Sequence, residues 1–285
     1  ALMIFPSLGN SALQVDEGGD TFISTTLLKF HFPRHSDGIN SSMLFANVHD
    51  GLFVYRPWVA YYIQSFSLSL FGQTTFAARL PFALIGVFAV IFLYRFALKF
   101  TDQQFVAFLA AFFLASSIPA LIFFRTARYV GVPILLSTLL LNFYIDIYKN
   151  RKWNPIGLIV ISIIFFHTMY VEFAGIIAGV LIHFFIHIKK VLPENRQRAA
   201  WAAGITGVFC IPWFIFISPV FPQVYQYLAS MSMLIDLSWQ GAFKRFFGFL
   251  FQINNYLFPL IFLPLLFLRQ IRPFTNQVSL LLLCI

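Results

Sequence analysis

Long apolar runs separated by short polar connections dominate this chain, and the lengths of the runs are those of helices that cross a bilayer. A helix needs about 20 mostly apolar residues to span the hydrocarbon. Seven stretches come close enough to qualify, at 82–98, 105–124, 132–148, 156–171, 174–188, 202–217 and 249–268. The chain opens on the apolar Ala1 to Phe5 and closes inside the apolar run 278–285, so it reads as a fragment with a truncated span at each end. Thr101 followed three residues later by Gln104 reads as a capping box that opens the 105–124 helix. The stretch 58–71 is apolar but covers only roughly 21 Å as a helix, against a hydrocarbon core of about 30 Å. We place it in the membrane interface, where Tyr61, Tyr62, Gln64, Ser65, Ser67 and Ser69 suit a half-wet position and Trp58 a headgroup-level anchor. The stretches 21–32 and 224–237 are weaker candidates for the same placement. The predicted fold is all-α: a single polytopic helix bundle over 1–285, with interfacial helices in a first loop at about 10–79.

Basic residues orient this bundle, because Lys and Arg in short connections favour the cytoplasm. Arg95 and Lys99 share one set of alternate connections with Lys149, Arg151, Lys152, Lys189, Lys190, Arg196, Arg198, Arg269 and Arg272. The opposite set holds Asp16, Glu17, Asp20, Asp37, Asp50, Glu172 and Asp236. The acidic face, and with it the 10–79 loop, is therefore expected outside. If 58–71 crossed the membrane, the basic connections on its two sides would fall on opposite faces.

Composition agrees with this picture. Hydrophobic residues make up 60% of the chain and charged residues only 10%, with mean hydropathy +0.82; a soluble domain carries roughly 25% charged residues. The formal net charge of +9 could suggest nucleic acid, but its position at the edges of apolar runs fits attraction to inner-leaflet lipids, and nucleic-acid binding is discarded. Cys210 and Cys284 lie inside apolar runs and behave there as small hydrophobes.

The loop is chemically loaded. Asp16 and Glu17 follow the first apolar run directly. Arg56, Pro57, Trp58, Tyr61 and Tyr62 come later, then Leu70, Phe71 and Gly72, then Ala78, Arg79, Leu80 and Pro81. In order and spacing these resemble the polytopic GT-C glycosyltransferases of the protein O-mannosyltransferase and lipid A aminoarabinose transferase type. Those proteins carry an Asp-Glu pair after the first span, a Pro-containing aromatic stretch, an L-F-G and an A-x-R-L-P. The motifs cover roughly residues 1–130. Trp58 departs from the pattern by replacing a second Pro, and the segment 20–50 follows no pattern of the family.

The resemblance implies transfer of a sugar from a polyprenyl-phosphate donor to a lipid, glycan or protein acceptor on the extracytoplasmic face. It favours a bacterial or archaeal plasma membrane over the endoplasmic reticulum. It makes Asp16 the general base toward the acceptor, with Glu17 orienting acceptor or metal. Arg56, Tyr61, Tyr62 and Arg79 fall at its substrate-binding positions, with a role in packing its own helix an equal alternative for Arg79.

The residues themselves are consistent with that chemistry, since a lipid-phosphate donor keeps its headgroup at the interface and needs a base and cations at that depth. Arg125 and Arg128, three residues apart, would share a face on a continuing helix and clamp phosphate, or else snorkel to the headgroups. His49, His167 and Glu172 are candidate ligands for a divalent metal ion. The simpler reading of a helical His as a satisfied interior donor stands beside it. A secondary transporter would gather polar groups near the midplane and show a repeat, neither of which is seen. A non-catalytic assembly subunit would make Asp16 dispensable.

Overall fold

The computed structural model describes residues 3–41, 51–222, 238–241 and 243–248. The predicted span 249–268 and the predicted interfacial stretch 224–237 lie outside them. The described residues are mainly helical: α1 (Val15–Phe30), α2 (Val59–Phe71), α3 (Thr75–Thr101), α4 (Gln104–Ser116), α5 (Ile118–Arg125), α6 (Gly131–Tyr148), α7 (Pro155–Phe166), α8 (Tyr170–Ile186) and α9 (Pro193–Ile217). Helix α3 is the hub and packs against α2, α4, α5 and α6; α7 joins α6 to α8 and α9. The chain is an integral membrane protein, and large apolar side chains such as Phe108, Phe112, Val208 and Ile215 are exposed along α4 and α9, as lipid-facing residues are.

Among the described residues three helices, α3, α6 and α9, are long and apolar enough to cross a membrane, and α4 with α5 makes a fourth if the pair counts as one span. The expected continuous helix at 105–124 is instead bent by 61° between α4 and α5. Pro119 accounts for the bend: it has no N–H to give to the preceding turn, so the helix restarts with the Ser117 hydroxyl accepting from Ala120 N. The expected span 156–171 ends early, at Phe166, leaving α7 with 12 residues, or roughly 18 Å at 1.5 Å per residue. The carbonyl of His167 at that break accepts the N–H of Val59 at the start of α2. This long-range contact has no local sequence signal.

The expected capping box at Thr101 does not form. Thr101 is the last residue of α3, and its hydroxyl donates back to Ala97 O. Asp102, in the left-handed region with φ 56°, ends that helix, and Gln103 caps α4 with no side-chain bond. Of the polar residues of α2 expected to be half-wet, Tyr62 and Ser69 are exposed but the others are not. Gln64, Ser65 and Ser67 are buried, while Phe66, Leu70 and Phe71 are exposed. The inversion follows from the partners: Gln64 donates to Thr21 Oγ1 and Ala78 O and accepts from Ser24, and Ser67 donates to Ala77 O at 2.6 Å. Pro81 has no N–H for the Ala77 carbonyl, and the Ser67 hydroxyl fills that place. Trp58 packs edge-on against Trp213 and Phe216 of α9, where a headgroup-level anchor was expected.

Helices α3 and α5 cross closely at Gly86, where a Cβ would overlap Cγ of the fully buried Phe124. Gly86→Ala is expected to be net destabilising: overpacking costs about 1–3 kcal/mol, against a helix-propensity gain of up to about 1 kcal/mol. Gly157→Ala, which meets only the outer end of the Phe143 ring, should be close to neutral. Unfolding midpoints of the two variants in detergent check this; equal midpoints would remove the close-approach reading.

At one end of the bundle Lys99 pairs with Asp146 at 2.6 Å, and Lys149 and Arg151 pair with Asp102. The N-terminal ends of α1, α3 and α6 and the C-terminal end of α5 gather at the opposite end. The candidate site is there.

Candidate functional site

Helix α1 starts at Val15, so the adjacent acids fall in its first turn, where unpaired N–H groups favour negative charge. Helical geometry then sends them apart. Asp16 points outward, with 68% of its side chain exposed, and Arg128 Nη1 reaches it at 3.0 Å. Glu17 points inward and is fully buried. Its Oε1 accepts from Arg79 Nε at 2.9 Å and Ala127 N at 2.7 Å, and its Oε2 accepts from Arg79 Nη2 at 2.8 Å and Gln14 N at 2.9 Å. Burial raises the Glu17 pKa, but the bonds from Arg79, Gln14 and Ala127 outweigh it, and the carboxyl sits below its usual range.

Arg79 completes the lock. Beyond Glu17 it donates to the Leu8, Ser11 and Ala12 carbonyls and to the Ser11 hydroxyl. One bidentate ion pair thus ties α3 to the start of α1, to the segment before it and to the α5–α6 connection. Arg125 makes a parallel tie, donating to the Met3, Ile4 and Pro6 carbonyls. The expected shared helix face for Arg125 and Arg128 does not exist, because α5 ends at Arg125 and Thr126 is extended. That break turns Arg128 toward α1 and leaves Arg125 on the N-terminal segment.

One turn beyond Asp16, on the same face, stands Asp20. Its Oδ1 accepts from Arg56 Nη1 at 2.9 Å and from the Tyr61 hydroxyl at 3.2 Å. Its Oδ2 faces Arg128 Nε at 3.9 Å, and neither of those two atoms has a hydrogen-bond partner among the described residues. Burial raises the Asp20 pKa more than Arg56, Arg128 and Tyr61 lower it, so the carboxyl lies above its usual range. Tyr61 is buried beside it, and desolvation together with the Asp20 charge keeps its hydroxyl protonated well above the ordinary range. The Arg56 guanidinium stacks 4.6 Å over the Tyr129 ring.

The structure therefore gathers four of the sequence-derived residues, Asp16, Arg56, Tyr61 and Arg128. It adds Asp20 and Tyr129, which the sequence reading did not single out. The spacing of Asp16 and Asp20 on one helix was the available signal. Tyr62 lies aside, its hydroxyl donating to His31 O.

The candidate metal ligands are not assembled. His49 lies outside the described residues. The His167 ring packs edge-on against Trp213, and Glu172 is exposed in the first turn of α8. Among the described residues no three His, Cys, Asp or Glu side chains converge as a metal site would require.

This polytopic helical bundle, with carboxylates and arginines gathered at one end, is of the GT-C type of membrane protein. The family described as dolichyl-phosphate-mannose-protein mannosyltransferase matches over residues 55–216, and the chain belongs to that family. Among solved structures it is similar to ArnT from Cupriavidus metallidurans bound to undecaprenyl phosphate, with TM-score 0.59, 16% identity and 78% of this chain covered. The chain spans 40% of the length of that protein. A search of curated proteins finds no match.

Proposed function

We propose that the protein transfers a sugar from a polyprenyl-phosphate donor to an acceptor at the extracytoplasmic face, with Asp16 as the general base. The observation that carries this reading is the convergence of Arg56 and Arg128 on two carboxylates one helical turn apart, at one end of the bundle. Guanidinium groups suit phosphate by their planar fork of donors. A carboxylate beside them, open to solvent, can take the proton of an incoming nucleophile. Asp16 has that exposure. Family membership and the undecaprenyl phosphate carried by ArnT support the donor class.

In this scheme Arg56 and Arg128 hold the donor phosphate and Tyr61 fixes their counter-charge. Glu17, Arg79 and Arg125 position the N-terminal segment that carries Asp16. Inversion at the sugar carbon expels the polyprenyl phosphate as Asp16 takes the acceptor proton. The functional test is consumption of a labelled polyprenyl-phosphate sugar by the full-length protein in vesicles; failure with every such donor would favour the transporter or assembly reading.

The side follows from charge. Lys99, Lys149 and Arg151 lie at the end of the bundle opposite the site, and basic connections favour the cytoplasm. Single cysteines at 151 and 196 should resist an impermeant thiol reagent added outside, while one at 10 should react. Outside labelling at 151 and 196 would reverse the topology.

A further inference from the structure

The scheme above gives Asp20 no chemical role, yet it is the most enclosed acid facing both arginines. Its side chain is 11% exposed, whereas those of Arg56 and Arg128 are 23% and 27% exposed. A phosphate can therefore reach the guanidiniums from outside while Asp20 stays covered. Among the described residues, the charged and titratable groups that face Asp20 are Asp16 from its own helix, Arg56 from the connection before α2, Tyr61 from α2 and Arg128 from the α5–α6 connection, with Tyr129 stacked on Arg56. Two cations and two carboxylates balance.

We propose that Asp20 is a second catalytic carboxylate, which neutralises Arg56 and Arg128 until a phosphate displaces it, takes up a proton at that moment, and returns the proton to the phosphate as it leaves the sugar. The proposal rests on the lipid-phosphate reading of the site. A phosphate brings at least one further negative charge to a balanced cluster, and one carboxylate must then be protonated or exposed. Asp20 is the one that responds. Asp16 keeps its charge solvated, whereas Asp20 is held ionised against its burial mainly by the two arginines that the phosphate recruits. Its Oδ2, with no hydrogen-bond partner among the described residues, is the atom that receives the proton.

The transfer step then balances. The acceptor oxygen bonds the sugar carbon and its proton goes to Asp16. The bond from that carbon to the phosphate oxygen breaks with its electron pair on the phosphate, and the Asp20 proton moves to the phosphate. Asp16 and Asp20 exchange roles in the proton ledger without any other reactant.

The test is calorimetric titration of undecaprenyl phosphate into the full-length protein in nanodiscs near pH 8, where a phosphate monoester is already a dianion because its second pKa is about 6. Two buffers of different ionisation heat report protons taken up. The wild type is expected to take up nearly one proton per lipid bound, and its affinity should fall about tenfold per pH unit as pH rises in this range. Asp20→Asn should bind with almost no uptake, Asp20→Glu should restore it, and kcat of Asp20→Asn should fall about 10²-fold with a smaller change in KM. Binding by the wild type without proton uptake, or equal uptake by Asp20→Asn, would overturn the role of Asp20 and leave the lipid-phosphate reading standing. Absence of binding by wild type and variants alike would overturn that reading, and the role of Asp20 with it.

Discussion

Asp16→Asn is expected to lower sugar transfer by about 10²–10⁴-fold, the usual worth of a positioned general base, while expression and donor binding stay close to wild type. Asn keeps the shape and hydrogen-bonding capacity of Asp but cannot accept the proton. The side chain is largely exposed, so the change opens no cavity and strands no buried partner. Arg128 loses one partner and still faces Asp20. Arg128→Ala should behave differently. It removes a phosphate-binding group that acts in ground and transition states alike, so KM should rise at least as much as kcat falls. Both variants are read by transfer from a labelled polyprenyl-phosphate sugar in reconstituted vesicles with the full-length protein. Wild-type turnover by Asp16→Asn on an established donor would remove the base assignment.

The second large effect concerns stability. Arg79→Ala leaves Glu17 fully buried with its counter-ion gone, and Glu17→Ala strands Arg79 in the same way. Removing one partner of a buried ion pair costs about 3–5 kcal/mol, because the survivor keeps its desolvation penalty. The double variant should cost less than the sum of the two, since each single change already destroys the shared bonds. Equilibrium unfolding in mixed micelles gives the three values. A loss below about 1 kcal/mol for either single change would show that water reaches the pair. The sign with pH is fixed by the Glu17 carboxyl, whose pKa is lowered in the folded state. Its contribution is present above the unfolded carboxylate value and is lost as pH falls through the folded one.

The different fates of Asp16 and Glu17 show where sequence reading reaches its limit. Their adjacency, their place after an apolar run and the ordered motifs downstream brought family and loop into view, because those features are local. What separates the two acids is helical phase: once α1 starts at Val15, neighbouring residues point about 100° apart, and one meets solvent while the other meets Arg79. Asp20 stayed in the background for the same reason, as its surroundings come from α2 and from the α5–α6 connection and not from its neighbours in sequence. Gln64 and Ser67 looked suited to a wet interface until α1 and α3 supplied their partners.

The membrane class, the helical content, the placement of α3, α6 and α9, and the family are legible along the chain. Hydrophobic length, proline and ordered motifs are written along the chain, and the bilayer selects on them directly. The bend in 105–124 has a local cause in Pro119, but only the tertiary structure shows that 156–171 stops early, that Arg125 and Arg128 part company, and that Glu17 is a buried anchor. It also set Asp20 between two arginines. Each of these depends on which distant backbone and side-chain groups meet, and a buried charge or a freed carbonyl settles wherever such a partner is available.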